Sequence, residues 1–157
     1  MKKLLLLSVL TLSSLSANAG VLWQKAESGM SVSGIKKLYP NVVPVSEEPD
    51  KHSNYKTLLE IPSYKIGNYD YKVGFTFKGD ELRSVNLSLK AKDPEPAFNE
   101  VKRLLHSKYG QPYNVEKNNV STKISWKDKQ TDVSLYSIMS FIQITYKDLA
   151  DSEANKL

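Results

Sequence analysis

The sequence predicts an α+β domain: an antiparallel sheet with helices on one face, with two tandem helix-then-meander units as its suggested organisation. Three observations lead there. From Tyr55 onward, apolar and polar residues alternate with a period of two over several segments, which puts alternate side chains on opposite faces of a strand. Two segments, near Gly29 to Pro40 and Asp93 to Pro112, instead carry helical spacing with start and stop signals. Turn residues sit between the alternating runs at hairpin distances.

Taken in order, residues 1–19 carry Lys2 and Lys3, an apolar run from Leu4 to Leu12, a serine-rich stretch and Ala17-Asn18-Ala19. This is the pattern of a cleaved secretory signal peptide. Its apolar run falls short of the roughly 20 residues needed to span a bilayer, so no membrane insertion is expected. The first helix has Ser31 as N-cap, Ile35 and Leu38 on one side, Lys36 and Lys37 pointing away, and Pro40 as its stop. Residues 41–54, with Pro44, Glu47, Glu48, Pro49 and Asp50, read as a loop.

Tyr55, Thr57, Leu59 and Ile61 begin the first strand, and Gly67-Asn68 turns the chain. Tyr69, Tyr71, Val73, Phe75 and Phe77 then alternate with Asp70, Lys72, Gly74 and Thr76. Lys78 to Glu81 supplies a hairpin, and Val85, Leu87 and Leu89 form the return strand. Asp93-Pro94-Glu95-Pro96 opens the second helix with negative charge at its N-terminus. Phe98, Val101, Leu104 and Leu105 form its stripe, and Gly110 with Pro112 ends it. A polar loop at Glu116 to Asn119 precedes Val120, Thr122, Ile124 and Trp126; Lys127 to Gln130 turns, Val133 and Leu135 face inward, and Ile142, Ile144 and Tyr146 close the sheet. The tail from Asp151 to Leu157 is polar and reads as flexible.

Internal similarity suggests the tandem arrangement, with units at about residues 20–91 and 92–150. Ile35-Lys36-Lys37-Leu38 matches Val101-Lys102-Arg103-Leu104 in residue class, and Lys72-Val73-Gly74-Phe75 matches Lys123-Ile124-Ser125-Trp126. The spacing is longer in the first half, which places an insertion in its loop and strand. Any amphipathic helix followed by an amphipathic strand would give part of this match, so duplication and coincidence both stand as readings.

Composition narrows the function. The chain has no cysteine among 157 residues, which removes disulfides, thiolate chemistry and a lipid-bearing N-terminus. Without Lys2 and Lys3 the excess of base over acid is mild, and no window combines dense Lys and Arg with aromatic residues, so nucleic acid is not an expected partner. Gly29, Met30, Ser31 and Ile35, with a Lys-Tyr-Gly-x-Pro helix exit at Lys108 to Pro112, resemble two related groups of exported proteins. One is the SmpA/OmlA-type lipoproteins of outer-membrane assembly; the other is the secreted β-lactamase inhibitor proteins, which look like a tandem of such units. The chain departs from the first in lacking a lipid-bearing cysteine and from the second in lacking disulfides. The resemblance implies an α+β layout and a binding role, and names no partner.

Catalytic chemistry has little to use. His52 lies in a polar loop with Glu48 and Asp50 as its only local carboxylates, and His106 lies off the helix stripe; both read as surface residues, and no metal or other cofactor is expected. The serines form no nucleophile elbow. A carboxylate pair such as Glu60 and Asp70, facing each other across a hairpin, is the one hydrolytic arrangement left open. The leading reading is an exported, periplasmic or secreted, non-catalytic binding protein for another envelope or secreted protein. Its polar sheet face would carry Lys72, Thr76, Asn86, Ser88, Ser121, Lys123, Ser125, Ser134, Gln143 and Thr145. Tyr55, Tyr64, Tyr113 and Tyr136 fall at edges, loops or polar faces, where tyrosine favours interfaces.

Apolar positions are odd up to Leu135 and even from Ile142, so a turn or bulge must intervene, with Ile138, Met139 and Phe141 at an apolar tip beside Tyr136. Tyr136, Ile138, Met139, Phe141, Lys72 and Lys123 are therefore the candidate partner-binding residues. The alternatives are recognition of an anionic envelope glycan or lipid headgroup by the lysines, and hydrolysis by an unrecognised carboxylate pair. Oligomeric state is not legible. N-terminal sequencing of the exported protein is expected to begin Gly20-Val21-Leu22; an intact Met1 in that fraction would overturn the soluble, cleaved reading.

Overall fold

The computed structural model describes residues 20–45 and 53–150. Residues 1–19, expected as a signal peptide with its cleavage site, His52 with Glu48 and Asp50, and the tail from Asp151 lie outside the described residues.

The chain opens with a hairpin, β1 (Val21–Trp23) and β2 (Ala26–Glu27), followed by helix α1 (Val32–Leu38) and a short strand β3 (Val43–Pro44). Three long strands follow: β4 (Tyr55–Ile66), β5 (Tyr69–Lys78) and β6 (Glu81–Lys90). Helix α2 (Glu95–Tyr109) leads to β7 (Asn114–Lys117), β8 (Ser121–Asp128), β9 (Thr131–Ile138) and β10 (Phe141–Asp148). All strands from β3 onward form one eight-stranded sheet in the order β3-β4-β5-β6-β10-β9-β8-β7, and every neighbouring pair is antiparallel. The last strands of the two meanders meet at its centre.

The alternation in the sequence selects the buried face. Tyr71, Val73, Phe75 and Phe77 of β5, Val85 and Leu87 of β6, Ile142 and Ile144 of β10, and Trp126 of β8 are at most 2% exposed. Ile35 of α1 and Ala97, Val101 and Leu105 of α2 belong to the same core cluster, so both helices cover one face of the sheet. The side-chain spacing in α2 is four residues throughout, which keeps the stripe on one side of a helix. Pro94 occupies the α2 cap and the Asp93 carboxylate accepts the Glu95 N–H at 3.3 Å. At the other end, the Trp126 indole N–H donates to the Gly110 carbonyl at 3.0 Å, tying the helix exit to β8.

In α1, the Ser31 hydroxyl accepts the Gly34 N–H at 3.1 Å, and the Asp80 carboxylate in the β5–β6 turn accepts the Val32 N–H at 2.9 Å. The inward pair is Ile35 and Tyr39, one helical turn apart. Leu38, expected on that side, is 37% exposed, because Tyr39 takes the inner position by packing with Trp23 and Phe75 at ring-centroid distances of 5.7 and 5.3 Å. Leu104 of α2 is likewise outside the stripe, at 39% exposed, with Ala97 inside it.

Three small elements escaped the sequence pattern. The β1–β2 hairpin puts Leu22, Trp23 and Ala26 into the core. It is pinned by the Gly29 N–H to the Leu82 carbonyl and by the Thr131 hydroxyl to the Val21 carbonyl, both at 2.8 Å. Strands β3 and β7 lie where loops were expected, at the two sheet edges. Val120, expected to alternate inward, precedes β8 and is 61% exposed. It follows an Asn118 side chain that accepts the Val120 and Ser121 N–H groups and fixes a turn. At the far end, the Leu149 N–H donates to the Gln130 carbonyl at 2.8 Å.

The buried Tyr71 hydroxyl has no hydrogen-bond partner among the described residues, and burial, followed by the nearby Glu100 charge, pushes its pKa up to about 12. Burial also raises Tyr146. Both phenols therefore stay neutral through ordinary pH. Trp126→Ala is expected to cost about 3 to 5 kcal/mol, since it deletes a large side chain 1% exposed and its hydrogen bond to the helix exit. Denaturant unfolding checks this, and a loss below about 1 kcal/mol would contradict the packing described.

Candidate functional site

The face of the sheet away from the helices is built from the polar positions of the alternation. Register arranges these residues into rows that cross the strands. One row runs Lys72, Ser88, Gln143, Tyr136, Lys123, Glu116 from β5 to β7. The next, toward the β9–β10 turn, runs Lys90, Phe141, Ile138, Ser121. On the other side lies Glu60, Gly74, Asn86, Thr145, Ser134, Ser125, Asn114, and beyond it Thr57, Thr76, Ser84, Lys147, Asp132, Lys127. Every residue expected on the polar face falls in these rows.

Long-range pairing thus brings the candidates together. Lys72, Tyr136 and Lys123 share one row, and Ile138 and Phe141 stand side by side in the next. The apolar tip needs a correction: Ile138 ends β9 and Phe141 starts β10, leaving only Met139-Ser140 in the turn. A two-residue hairpin suffices because the apolar parity changes by one position across it. Met139 is 79% exposed and has φ +50, a conformation that side chains disfavour. The corresponding turns after β4 and β5 place Gly67 and Gly79 at positive φ instead.

The centre of the face is hydrogen-bonded to itself. The Asn86 side-chain oxygen accepts from the Thr145 hydroxyl at 3.0 Å and from Gln143 Nε2 at 3.2 Å. Asn86 Nδ2 donates to Thr76 Oγ1 at 3.1 Å, and Thr76 shares a 2.9 Å bond with Thr57. The candidate lysines have carboxylates nearby. Lys72 Nζ lies 3.4 Å from Glu60 Oε2, and Lys123 pairs in register with Glu116. Glu60 and Asp70 do not face each other: Glu60 is opposite Gly74 and Asp70 opposite Lys65, and Asp70 accepts the Ser63 hydroxyl at 3.0 Å. Among the described residues no group of three or more His, Cys, Asp or Glu side chains could hold a metal ion, and no helix is long and apolar enough to cross a membrane. His106 is exposed on α2.

Two tyrosines border this face. Tyr136 stands between Gln143 and Lys123. Tyr113 folds over from the start of β7: its hydroxyl donates to Asp132 at 3.3 Å, Lys127 Nζ sits 4.8 Å from its ring centroid, and Ser125 nearby is only 4% exposed. Partial burial and then the Asp132 charge raise the Tyr113 pKa. Tyr64 differs from expectation, packing edge-on against Trp23 at 5.1 Å on the helix side, because β4 carries a register shift between Ile61 and Tyr64 around Pro62.

The family model of the TP0088 domain matches residues 43–156, from β3 through the whole of the eight-stranded sheet. The chain belongs to the TP0088 domain family. The match begins after α1, so the β1–β2 hairpin and first helix stand outside it. No curated protein and no solved structure matches the sequence.

Met139→Gly is expected to raise the unfolding free energy by about 1 kcal/mol, by removing a side chain from a positive-φ turn position. Chemical denaturation decides it; a loss of stability would mean that the Met139 side chain packs against the protein.

Proposed function

We propose that this is an exported, non-catalytic binding protein that docks another envelope or secreted protein, as inhibitor, adaptor or assembly factor, on its open sheet face. The observation that carries the reading is the arrangement of that face: a centre whose polar side chains bond one another, bordered by Ile138, Phe141, Met139 and Tyr136. Covering polar groups that already have partners avoids most of the cost of stranding them without water. The neighbouring apolar and aromatic side chains supply the contact area.

Charge favours a protein partner over an anionic glycan or lipid headgroup. Lys72 is paired with Glu60, and Lys123 lies in register between Tyr136 and Glu116, so each candidate lysine has a carboxylate on a neighbouring strand and the face is not uniformly cationic. The hydrolytic alternative loses its named pair, since Glu60 and Asp70 are directed to other neighbours. Export rests on the sequence of residues 1–19, as does the periplasmic or secreted location.

We also read the chain as two tandem units, each a helix, a short edge strand and three longer strands meeting at the sheet centre. The order of elements supports this. It equates β4 with β8 and β5 with β9, whereas the matched segments Lys72 to Phe75 and Lys123 to Trp126 fall on β5 and β8, which hold different places in the sheet. The layout and the Gly-Met-Ser helix entry are the basis on which we relate the chain to the SmpA/OmlA-like and β-lactamase-inhibitor-like exported proteins.

The test is affinity capture from an envelope extract, comparing the natural protein with the double variant Ile138→Ser and Met139→Ser. The variant is expected to melt within a few degrees of the parent and to lose the captured protein. Retained capture overturns the docking role of this border. Capture that disappears between low and physiological ionic strength for both proteins identifies a charge-led anionic ligand instead.

A further inference from the structure

The two edges of the sheet are guarded unequally. At one, β3 is two residues long and includes Pro44, and the adjoining β4 carries Pro62. Short strands and proline discourage further pairing. At the other, β7 is twice as long, has no proline and pairs with β8 without a register shift; its guards are its modest length of four residues and the charges of Glu116 and Lys117. An edge strand of this kind presents outward-facing backbone N–H and C=O groups.

Beside that edge, on the helix side, a groove of about 380 Å³ lies between α2 and the β7–β8 ladder. Half-buried Phe98 and Val115, 56% exposed, give it apolar surface, over the buried Ile124 at its floor. Lys102 and Lys117 line it, with Glu95 as the single acid among the lining residues. Neither lysine forms an ion pair with a described residue. Phe98 and Lys102 are four residues apart on α2 and so stand on one ridge; Val115 and Lys117 are two apart on β7 and so share its groove side. Each wall therefore offers one apolar residue and one cation.

We propose that β7 and this groove take an extended peptide segment of a partner protein with the pattern apolar-x-acidic. Its backbone pairs with β7 as an additional strand. Its apolar side chain lies beside Val115 against Phe98 and Ile124, and its carboxylate meets Lys117 or Lys102. Main-chain pairing would supply affinity and the alternate side chains specificity. The proposal shares with the preceding one only the reading of the chain as a binding protein: it uses the helix side of one edge, not the open face.

A random dodecapeptide library displayed on phage and selected against the purified protein tests it. The selected peptides are expected to be enriched in apolar-x-acidic sequences and to shift the NMR amide signals of residues 114–117 and 98–102. They should bind the double variant Lys102→Glu and Lys117→Glu at least about tenfold more weakly. N-methylating alternate amides of a selected peptide should abolish binding for one alternate set and spare the other, the signature of strand pairing. The proposal is overturned if no peptide is selected, if the charge-reversed variant binds equally, or if both N-methylated sets bind. It is overturned too if decanoate produces the same shifts and displaces the peptides while N-methylation has no effect, which would mark an amphiphile pocket. Binding that is lost instead on Ile138→Ser with Met139→Ser would move the peptide site to the open face and refute this one without touching the reading of that face.

Discussion

The antiparallel seam between β6 and β10 is the constraint on which the rest of the structure depends. Each of these strands closes one meander, and their pairing sets Val85 against Tyr146, Leu87 against Ile144 and Leu89 against Ile142. Because side chains alternate with a period of two, this register decides which side of both halves is apolar. A slip by one residue would carry Ile142, Ile144 and Tyr146 to the face that holds Asn86 and Ser88. Both helices then would have half a core to cover. With no cysteine to cross-link the halves, burial across this seam carries the union of the two meanders.

Legibility followed burial. The long strands could be read because each alternates, and the turns Gly67-Asn68 and Gly79-Asp80 because glycine tolerates positive φ. The turns at Lys129 and Met139 have φ +39 and +50 without any such residue; only the parity change between Leu135 and Ile142 pointed to the second. Strands β3 and β7 stayed hidden because they bury little: Val43 is 40% and Val115 56% exposed, so neither leaves a hydrophobic pattern. Leu38 and Leu104 were misplaced because helical spacing permits both three and four residues, and packing chose the four-residue partners. The polar face could be listed residue by residue from sequence, but its rows could not, since Lys72, Tyr136 and Lys123 fall into one row only through pairings made far apart in the chain.

The two proposed surfaces would ask different things of a partner. The open face is broad, and its central side chains are mutually bonded, so it presents a fixed pattern rather than unsatisfied groups. The β7 edge offers what the centre of the open face lacks, main-chain groups at a strand margin beside an apolar groove. A protein carrying both could hold a folded surface and an extended segment at once, the two meeting only at β7, whose Asn114 and Glu116 belong to the open face and whose Val115 and Lys117 belong to the groove.

The N-terminal hairpin and the end of β10 converge on one turn. The Val21 carbonyl accepts the Thr131 hydroxyl, the Leu149 N–H donates to Gln130, and a side chain at Gly20 would collide with Gln130. Residues 20 and 149 are therefore neighbours in space although they lie at opposite ends of the described chain. A linker of a few residues could join them without moving a strand, and the backbone could be opened at the exposed Met139-Ser140 turn. The fold is in this sense a closed ring of elements, whose connectivity can be cut and rejoined while its sheet order is kept.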